Sequence, residues 1–357
     1  MINHPQIPTD NGFLTSLGQM KHLFSKGCQQ RFAGETVQEL ETWQAKNREL
    51  FKGLLGFDTF EPCDNNLYEL ERVDCGSYTR VKYVLQTEAM VYMPFYALVP
   101  NDIKPGEKRP SVICPHGHVQ SMKESIAGIR SVPGVPGDIK EFNTQYGEDF
   151  VKMGYIAFCP DARGFGERAE KIAHADDQWK CSCQVLNRMA IPLGRCAIGM
   201  SIWDLVKLTD YIHTRPDCDP DRIGCGGLSG GGLQTLYLAA VDTRIKCACT
   251  SGYFYGILES LLEQNNNCAC NYTPNLWQHF DMCDIAGLIA PRAFIVEAGL
   301  QDGLNGRSGI DNVKSQYDIT KAKYDVAGAG DKIMLSLFDV GHKWVGIDVY
   351  PFFDKHS

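Results

Sequence analysis

Ser229 has the surroundings best suited to nucleophilic chemistry. It stands in a G-x-S-x-G pentapeptide, residues 227–231, directly after the short apolar run 223–228. A helix is predicted over residues 233–240, so the serine falls on a sharp strand-to-helix turn that holds it in a strained geometry. The N-terminus of that helix favours developing negative charge near the serine. The alternative is a glycine-rich phosphate turn, but no G-x-x-x-x-G-K-[ST] or G-x-G-x-x-G element accompanies the motif.

His342 is the predicted general base. A serine hydroxyl is a poor nucleophile unless an imidazole within hydrogen-bond reach takes its proton and a carboxylate orients that imidazole. His342 follows the last apolar run, residues 333–338, and the small Gly341 allows its loop to fold over a sheet edge. His116 and His118 are the alternatives, although both precede the serine and lie in a different loop.

Asp302 is the predicted orienting acid. It follows the apolar run 293–297, stands beside a glycine, and lies between the serine and the histidine in sequence. Asp281 and Asp284 compete with it but precede that run, and Asp339 lies too close to the histidine. Because Asp-Gly is a common turn pair, simple turn formation is the alternative role for Asp302.

Two backbone amides are predicted to stabilise the oxyanion that forms when a carbonyl is attacked. One is the N–H of Gly230, the residue after the nucleophile. The other is the N–H of His118, in the P-H-G-H loop of residues 115–118. The imidazole of His116 in the same loop either braces the loop or contacts the substrate.

Further substrate contacts are predicted from the long segments that interrupt the core. Residues 119–147 and 251–284 are such segments, and loops of this length in a compact domain are usually functional. Tyr253 lies in the second segment, and Trp344 comes two residues after the predicted base. Packing of these aromatic side chains against the sheet is the alternative.

The elements that must position these residues follow from hydrophobic patterning. Antiparallel strands are predicted at 78–85 and 89–99, and amphipathic helices at 37–55 and 201–214. Short apolar runs that alternate with longer segments predict a parallel sheet buried on both faces, with chemistry at the carboxyl ends of its strands. These runs are residues 111–114, 155–159, 223–228, 245–250, 293–297 and 333–338.

The chain resembles the α/β-hydrolase superfamily, and more narrowly its dienelactone hydrolase and acetyl xylan esterase-like branch. The resemblance covers roughly residues 67–350. It is carried by 203–204 (WD), 215–216 (RP), 227–231 (GLSGG), 160–168 (PDARGFGER), 289–292 (IAPR) and 268–272 (CACNY).

The resemblance implies an α/β-hydrolase fold, with a predominantly parallel central sheet of about eight strands flanked by helices. It also implies an N-terminal helical extension, residues 1–66, before a catalytic domain at 67–357. Ser229 would be the nucleophile, Asp302 the acid and His342 the base, with no cofactor. Dienelactone hydrolases proper carry cysteine as the nucleophile, so position 229 departs from that family.

The implied activity is a serine carboxylesterase that acts on small acyl esters, acetyl esters above all, of carbohydrates or other small molecules. A serine peptidase of the prolyl oligopeptidase type shares the fold and the order of catalytic residues, but residues 1–66 are too few for its propeller domain. A non-catalytic binding protein on a hydrolase scaffold is the third hypothesis.

Composition excludes other classes of function. The chain has 35 Lys and Arg against 43 Asp and Glu, a net charge of −8, and no basic run, so a nucleic acid partner is not expected. No stretch approaches the roughly twenty apolar residues of a membrane span. The N-terminus lacks the features of a secretory signal, and 15 cysteines suit a reducing cytoplasm. The oligomeric state stays open.

The cysteine spacing argues against a bound metal. Three C-x-C pairs occur, at 181/183, 247/249 and 268/270. Structural zinc sites usually pair cysteines as C-x₂₋₄-C, twice. The sequence is therefore expected to hold no metal, although the polar loop around Cys268 and Cys270 has no obvious packing role.

Overall fold

The computed structural model describes residues 16–171 and 181–357. Nine strands form one sheet in the order β1-β2-β3-β5-β4-β6-β7-β8-β9. The strands are β1 (Leu67–Asp74), β2 (Tyr78–Glu88), β3 (Val91–Pro100), β4 (Arg109–Ile113), β5 (Ile156–Pro160), β6 (Cys218–Leu228), β7 (Ile245–Ser251), β8 (Ala293–Gly299) and β9 (Ile333–Phe338).

The sheet is parallel from β5 to β9, as the six apolar runs predict. Strands β1, β2 and β3 are antiparallel to their neighbours, and β3 pairs with β5 in antiparallel register. The resemblance implied about eight strands, and the ninth is the edge strand β1. Most of β1 is exposed, so it lacks the apolar pattern that marks the buried strands.

Helices cover both faces of the sheet. They are α1 (Leu17–Phe24), α2 (Val37–Leu54), α3 (Met122–Ile126), α4 (Val135–Phe142), α5 (Tyr146–Lys152), α6 (Cys183–Ala190), α7 (Ala197–Thr214), α8 (Gly230–Val241), α9 (Leu276–His279), α10 (Met282–Gly287), α11 (Ile310–Val326) and α12 (Val349–His356). A π-helical turn covers Leu258–Glu263.

Alternation along the strands supplies the two apolar layers. Cys247 and Cys249 of β7 face the layer that contains α5 and α12, while Ala248 between them faces the layer of α2, α7, α8 and α11. This C-x-C pair therefore serves one face of a buried strand, because successive strand residues point to opposite faces.

Helix α2 of the predicted N-terminal extension packs in the apolar layer that also contains α7, α8 and α11. A capping box begins α2, with the Thr36 hydroxyl accepting from the Glu39 N–H and the Glu39 carboxylate accepting from the Thr36 N–H. Phe51 is fully buried, 4.9 Å from Tyr237 in an edge-on aromatic contact. The first 15 residues of the predicted extension lie outside the described residues, and the division at residue 66 stays a prediction.

Over residues 16–171 and 181–357, no single helix is long and apolar enough to cross a membrane. One bent pair, Cys183–Leu193 with Ala197–Thr214, meets the length and composition criteria.

Candidate active site

Ser229 occupies the turn between β6 and α8 in a strained conformation. Its φ is 60° and its ψ is −124°, a region that a residue with a side chain adopts only when the surrounding structure enforces it. Its N–H donates to the Ser251 carbonyl at 2.8 Å, which ties the turn to the adjacent strand β7. The serine therefore stands at the carboxyl edge of the parallel sheet, at the start of a 12-residue helix.

The glycines of the pentapeptide are required by close backbone packing. A Cβ on Gly227 would lie 2.7 Å from the Pro115 carbonyl oxygen, and a Cβ on Gly231 would overlap the same oxygen. Gly117 faces the serine from the other side, where an added Cβ would meet the Ser229 Cβ at 2.9 Å. The serine turn and the 115–118 loop therefore touch through bare backbone.

The structure brings His342 and Asp302 together. His342 Nδ1 lies 2.7 Å from Asp302 Oδ2, across the gap between the loops that follow β9 and β8. Asp302 is buried, and its Oδ1 accepts from the Leu304 N–H at 2.9 Å. The carboxylate is thus fixed on both oxygens, which orients the imidazole and leaves its Nε2 for other chemistry.

The competing carboxylates have other partners. Asp281 and Asp284 form the capping box of α10. The Asp281 carboxylate accepts from the Asp284 N–H, and the Asp284 carboxylate accepts from the Asp281 N–H. Asp339 is exposed and accepts from Gln301 Nε2 at 2.7 Å. None of the three is paired with His342.

Ser229 and His342 line one cavity of about 280 Å³. Within the described residues, no hydrogen bond joins the two side chains. Such bonds are often long in a protein without substrate and tighten when the reacting complex forms. Gly252 packs against the imidazole, since a Cβ there would lie 3.0 Å from His342 Cε1.

Both predicted oxyanion amides border this cavity. Gly230 and His118 line it beside the serine, and neither N–H donates to another of the described residues. The Gly230 amide is also the first of α8, where helical geometry leaves N–H groups without intrahelical partners. Two residues with free N–H groups and a helix N-terminus thus border the space next to Ser229.

Glu297, which the sequence analysis missed, anchors the loop that carries His342. It is buried at the end of β8 and accepts the Ser251 hydroxyl at 2.7 Å and the N–H groups of Val345 and Gly346 at 3.0 and 2.7 Å. Burial raises the pKa of Glu297, and the three donors oppose that rise. A charged residue inside an apolar strand run was the feature of the sequence that could have identified it.

Two residues predicted to contact substrate, Trp344 and His116, do not line this cavity. Trp344 is fully buried and stacks on Tyr146, with 4.6 Å between the ring centroids. His116 is buried behind its own loop, with Nδ1 2.8 Å from the Gly117 carbonyl and Nε2 accepting the Ala162 N–H at 3.1 Å. Burial lowers the pKa of His116, so the ring acts as a neutral brace.

Tyr253 does line the cavity, although little of it is exposed. Its hydroxyl lies 2.5 Å from Asn271 Oδ1, and burial raises its pKa well above the usual value. The tyrosine is therefore a neutral part of the cavity wall, and its predicted contact with substrate stays a prediction.

A cluster of metal-binding side chains lies beside the cavity. The imidazole of His118 and the thiols of Cys183, Cys268 and Cys270 place their donor atoms within 4.8 Å of one another. Spacing within each C-x-C pair does not predict this cluster, because structural zinc sites usually pair cysteines as C-x₂₋₄-C. The pairs 181/183 and 268/270 both supply ligands to one place, next to a histidine from a distant loop.

Comparisons with known proteins agree with this architecture. The model of the Abhydrolase family matches residues 8–335. The proposed hydrolase YtaP of Bacillus subtilis (strain 168) is 30% identical over 188 residues, which cover 52% of this chain. The match spans 58% of the length of YtaP, a little over half of that relative.

Solved structures share the fold over most of the chain. A proposed acetyl xylan esterase from Bacteroides fragilis NCTC 9343 has a TM-score of 0.76 and 21% identity, covering 98% of this chain and 92% of that one. A glucuronoyl esterase from Solibacter usitatus has a TM-score of 0.63 and 14% identity, covering 89% and 92%.

The backbone contact at the serine turn can be tested with a pair of glycine substitutions in helices. We expect Gly231→Ala to lower the free energy of unfolding by about 1–3 kcal/mol, because the new methyl group overlaps the Pro115 carbonyl. Gly137→Ala in α4 is the control, since nothing lies within 4 Å of its added Cβ, and it should stabilise by about 0.5–1 kcal/mol. Urea unfolding measures both, and equal effects would contradict the packing argument.

Proposed function

Since the chain belongs to the Abhydrolase family and has the α/β-hydrolase fold, we propose that it is a serine carboxylesterase of small acyl, above all acetyl, esters. The observation that carries the proposal is one cavity shared by the strained Ser229 and by His342, whose Nδ1 is paired with Asp302. The predicted superfamily is confirmed, and the two structural neighbours agree with an acetyl xylan esterase-like branch.

The first half of the proposed reaction forms an acyl-enzyme. His342 Nε2 takes the proton of the Ser229 hydroxyl as Oγ attacks the ester carbonyl carbon. The carbonyl oxygen gains the negative charge, and the amides of Gly230 and His118 donate to it. The imidazolium, held by the Asp302 carboxylate, then returns its proton to the leaving alcohol oxygen as the carbon–oxygen bond breaks.

The second half repeats these steps with water. His342 takes a proton from water as the oxygen attacks the acyl carbon, and the same two amides stabilise the second oxyanion. The proton then passes from the imidazolium to Ser229 Oγ as the acyl bond breaks, which releases the carboxylic acid and restores the enzyme. These steps use only side chains and backbone of this chain.

A carbohydrate or another polyhydroxylated alcohol is the proposed substrate class. The polar residues Thr144, Asn266 and Asn267 line the cavity beside Ser229. Hydroxyl groups of a bound alcohol can both donate to and accept from side chains of these types. The names of the two structural neighbours, which are esterases of acetyl xylan and of glucuronoyl groups, support the same class.

We also propose a reducing compartment such as the cytoplasm. All fifteen cysteines fall within the described residues, and none is in a disulfide. Unpaired thiols at this number are typical of proteins kept reduced after synthesis.

Substitution of the nucleophile tests the proposal directly. We expect Ser229→Ala to reduce the hydrolysis of nitrophenyl acetate by at least about 10³-fold. The variant should also lose labelling by a serine-reactive phosphonate, which mass spectrometry detects. Wild-type turnover by this variant would overturn the proposal. A wild-type protein that resists the phosphonate and hydrolyses no ester would favour a binding function instead, and faster cleavage of a short peptide amide than of acetyl esters would favour a peptidase.

Matched substitutions at Asp302 and Asp339 distinguish the loss of an orienting acid from the loss of a negative charge. We expect Asp302→Asn to lower kcat by about 10³–10⁴-fold with little change in KM, because the amide no longer holds His342 in the required tautomer. Asp339→Asn, in the exposed competitor that contacts Gln301, should keep wild-type kcat. Equal losses in steady-state kinetics would remove the assigned role of Asp302.

Asn267 tests the proposed substrate class. We expect Asn267→Ala to raise KM for an acetylated xylo-oligosaccharide about 10-fold, the value of one hydrogen bond of about 1.4 kcal/mol, and to leave nitrophenyl acetate unaffected. Gln264→Ala, a nearby exposed substitution that does not line the cavity, is the control. Equal effects on both esters would indicate that Asn267 supports the cavity without contacting the sugar.

A further inference from the structure

We propose that His118, Cys183, Cys268 and Cys270 form a structural zinc site directly behind the oxyanion amides. Their one imidazole nitrogen and three sulfurs all lie within 4.8 Å of one another. Three thiolates with one imidazole are among the usual ligand sets of structural zinc, which is almost always four-coordinate and tetrahedral. Soft sulfur ligands also select zinc over the hard cations that oxygen ligands hold.

The distances fit a single tetrahedral ion. Zn–S bonds of about 2.3 Å and Zn–N bonds of about 2.0–2.1 Å place ligand atoms about 3.5–3.8 Å apart. His118 Nε2 lies 3.4 Å from Cys270 Sγ and 3.8 Å from Cys183 Sγ. The Cys183 and Cys268 sulfurs are 2.9 Å apart, so these two must separate by about 0.9 Å when both bind the same ion.

The four ligands come from three separate parts of the chain. His118 ends the 115–118 loop and Cys183 begins α6. Cys268 precedes the 3-10 turn Ala269–Asn271 that follows the π-helix, and Cys270 lies within that turn. Cys183 and Cys270 are buried, beside Phe165, whose ring meets the His118 ring edge-on at 5.0 Å. A metal bound by all four would cross-link three loops around the cavity.

A disulfide between Cys183 and Cys268 is the competing explanation of the short sulfur contact. It would need a bond of about 2.05 Å and would use only two of the four groups. The convergence of Cys270 and of the His118 imidazole on the same point is unexplained by a disulfide, whereas a metal uses all four. Asn271 Nδ2 also points at Cys270 Sγ, at 3.6 Å, as an outer donor to a thiolate would.

The proposed site has a consequence for catalysis, which rests on the proposed function. A Cβ on Gly230 would lie 3.3 Å from His118 Nδ1, so the imidazole spans the space between the cysteines and the oxyanion amide. Binding through Nε2 leaves the proton on Nδ1. The metal would thus fix the position of two donors of His118, its backbone N–H and its Nδ1–H, next to the proposed oxyanion.

Metal content tests the site independently of activity. The full chain is purified in reducing, chelator-free buffer, and its zinc is measured by inductively coupled plasma and native mass spectrometry. We expect about one zinc per chain in the wild type and in Ser229→Ala, and a loss of at least about 10-fold in Cys268→Ser and Cys270→Ser. Cys63→Ser and Cys75→Ser are matched controls outside the cluster and should keep the zinc.

Cobalt titration of wild-type protein freed of metal keeps the test valid if a cysteine variant fails to fold. A thiolate-to-cobalt absorption band that saturates at about one equivalent, and is reversed by zinc, supports the site. A folded wild type that holds no zinc and develops no such band overturns it, as does a Cys183–Cys268 disulfide found under reducing conditions. Zinc in a wild type without esterase activity would defeat the proposed function alone, and activity without zinc binding would defeat the metal site alone.

Discussion

The whole site depends on a contact between two backbone segments that no side chain separates. The turn at Ser229 and the loop of residues 115–118 approach so closely that a Cβ on Gly117 would lie 2.6 Å from the Leu228 carbonyl oxygen. Glycine is needed here for its small size, and the strain at Ser229 is maintained by this packing together with the hydrogen bond to Ser251. The same contact holds Gly230 next to the 115–118 loop, so one feature positions the proposed nucleophile and both residues proposed to stabilise the oxyanion.

The parallel sheet brings the other groups to this contact. Strands β6, β7, β8 and β9 are consecutive neighbours, so the loops after β6, β8 and β9 leave the same edge. Asp302 in the loop after β8 contacts His342 in the loop after β9. The Glu297 carboxylate accepts two backbone N–H groups of the loop after β9 and so fixes that loop. A buried carboxylate of this kind is costly without donors, and two of the donors it receives belong to the loop that carries His342, the proposed base.

The sequence was informative where chemistry coincides with a strand end. Ser229 and its glycines combine a motif with a predicted strand and helix, and six apolar runs predicted six parallel strands. Position along the chain does not give the direction of a side chain, so the sequence does not reveal that Trp344 and His116 are both buried. The cysteine cluster cannot be predicted from the sequence, because its four side chains come from three loops. Only the fold brings Cys183 to the other two cysteines.

His118 belongs both to the cavity beside Ser229 and to the cysteine cluster. It lines the cavity, and its imidazole lies next to the cysteines. An oxyanion hole works when its donors are already in place, because reorganisation during the reaction would consume the stabilisation that they provide. A loop without regular structure is a poor support for such a donor. Backbone packing against Gly117 fixes one side of this loop, and four ligands on a single ion would fix the other. The proposed ion would therefore account for the three cysteines beside the cavity by the rigidity that the proposed role of the His118 amide requires.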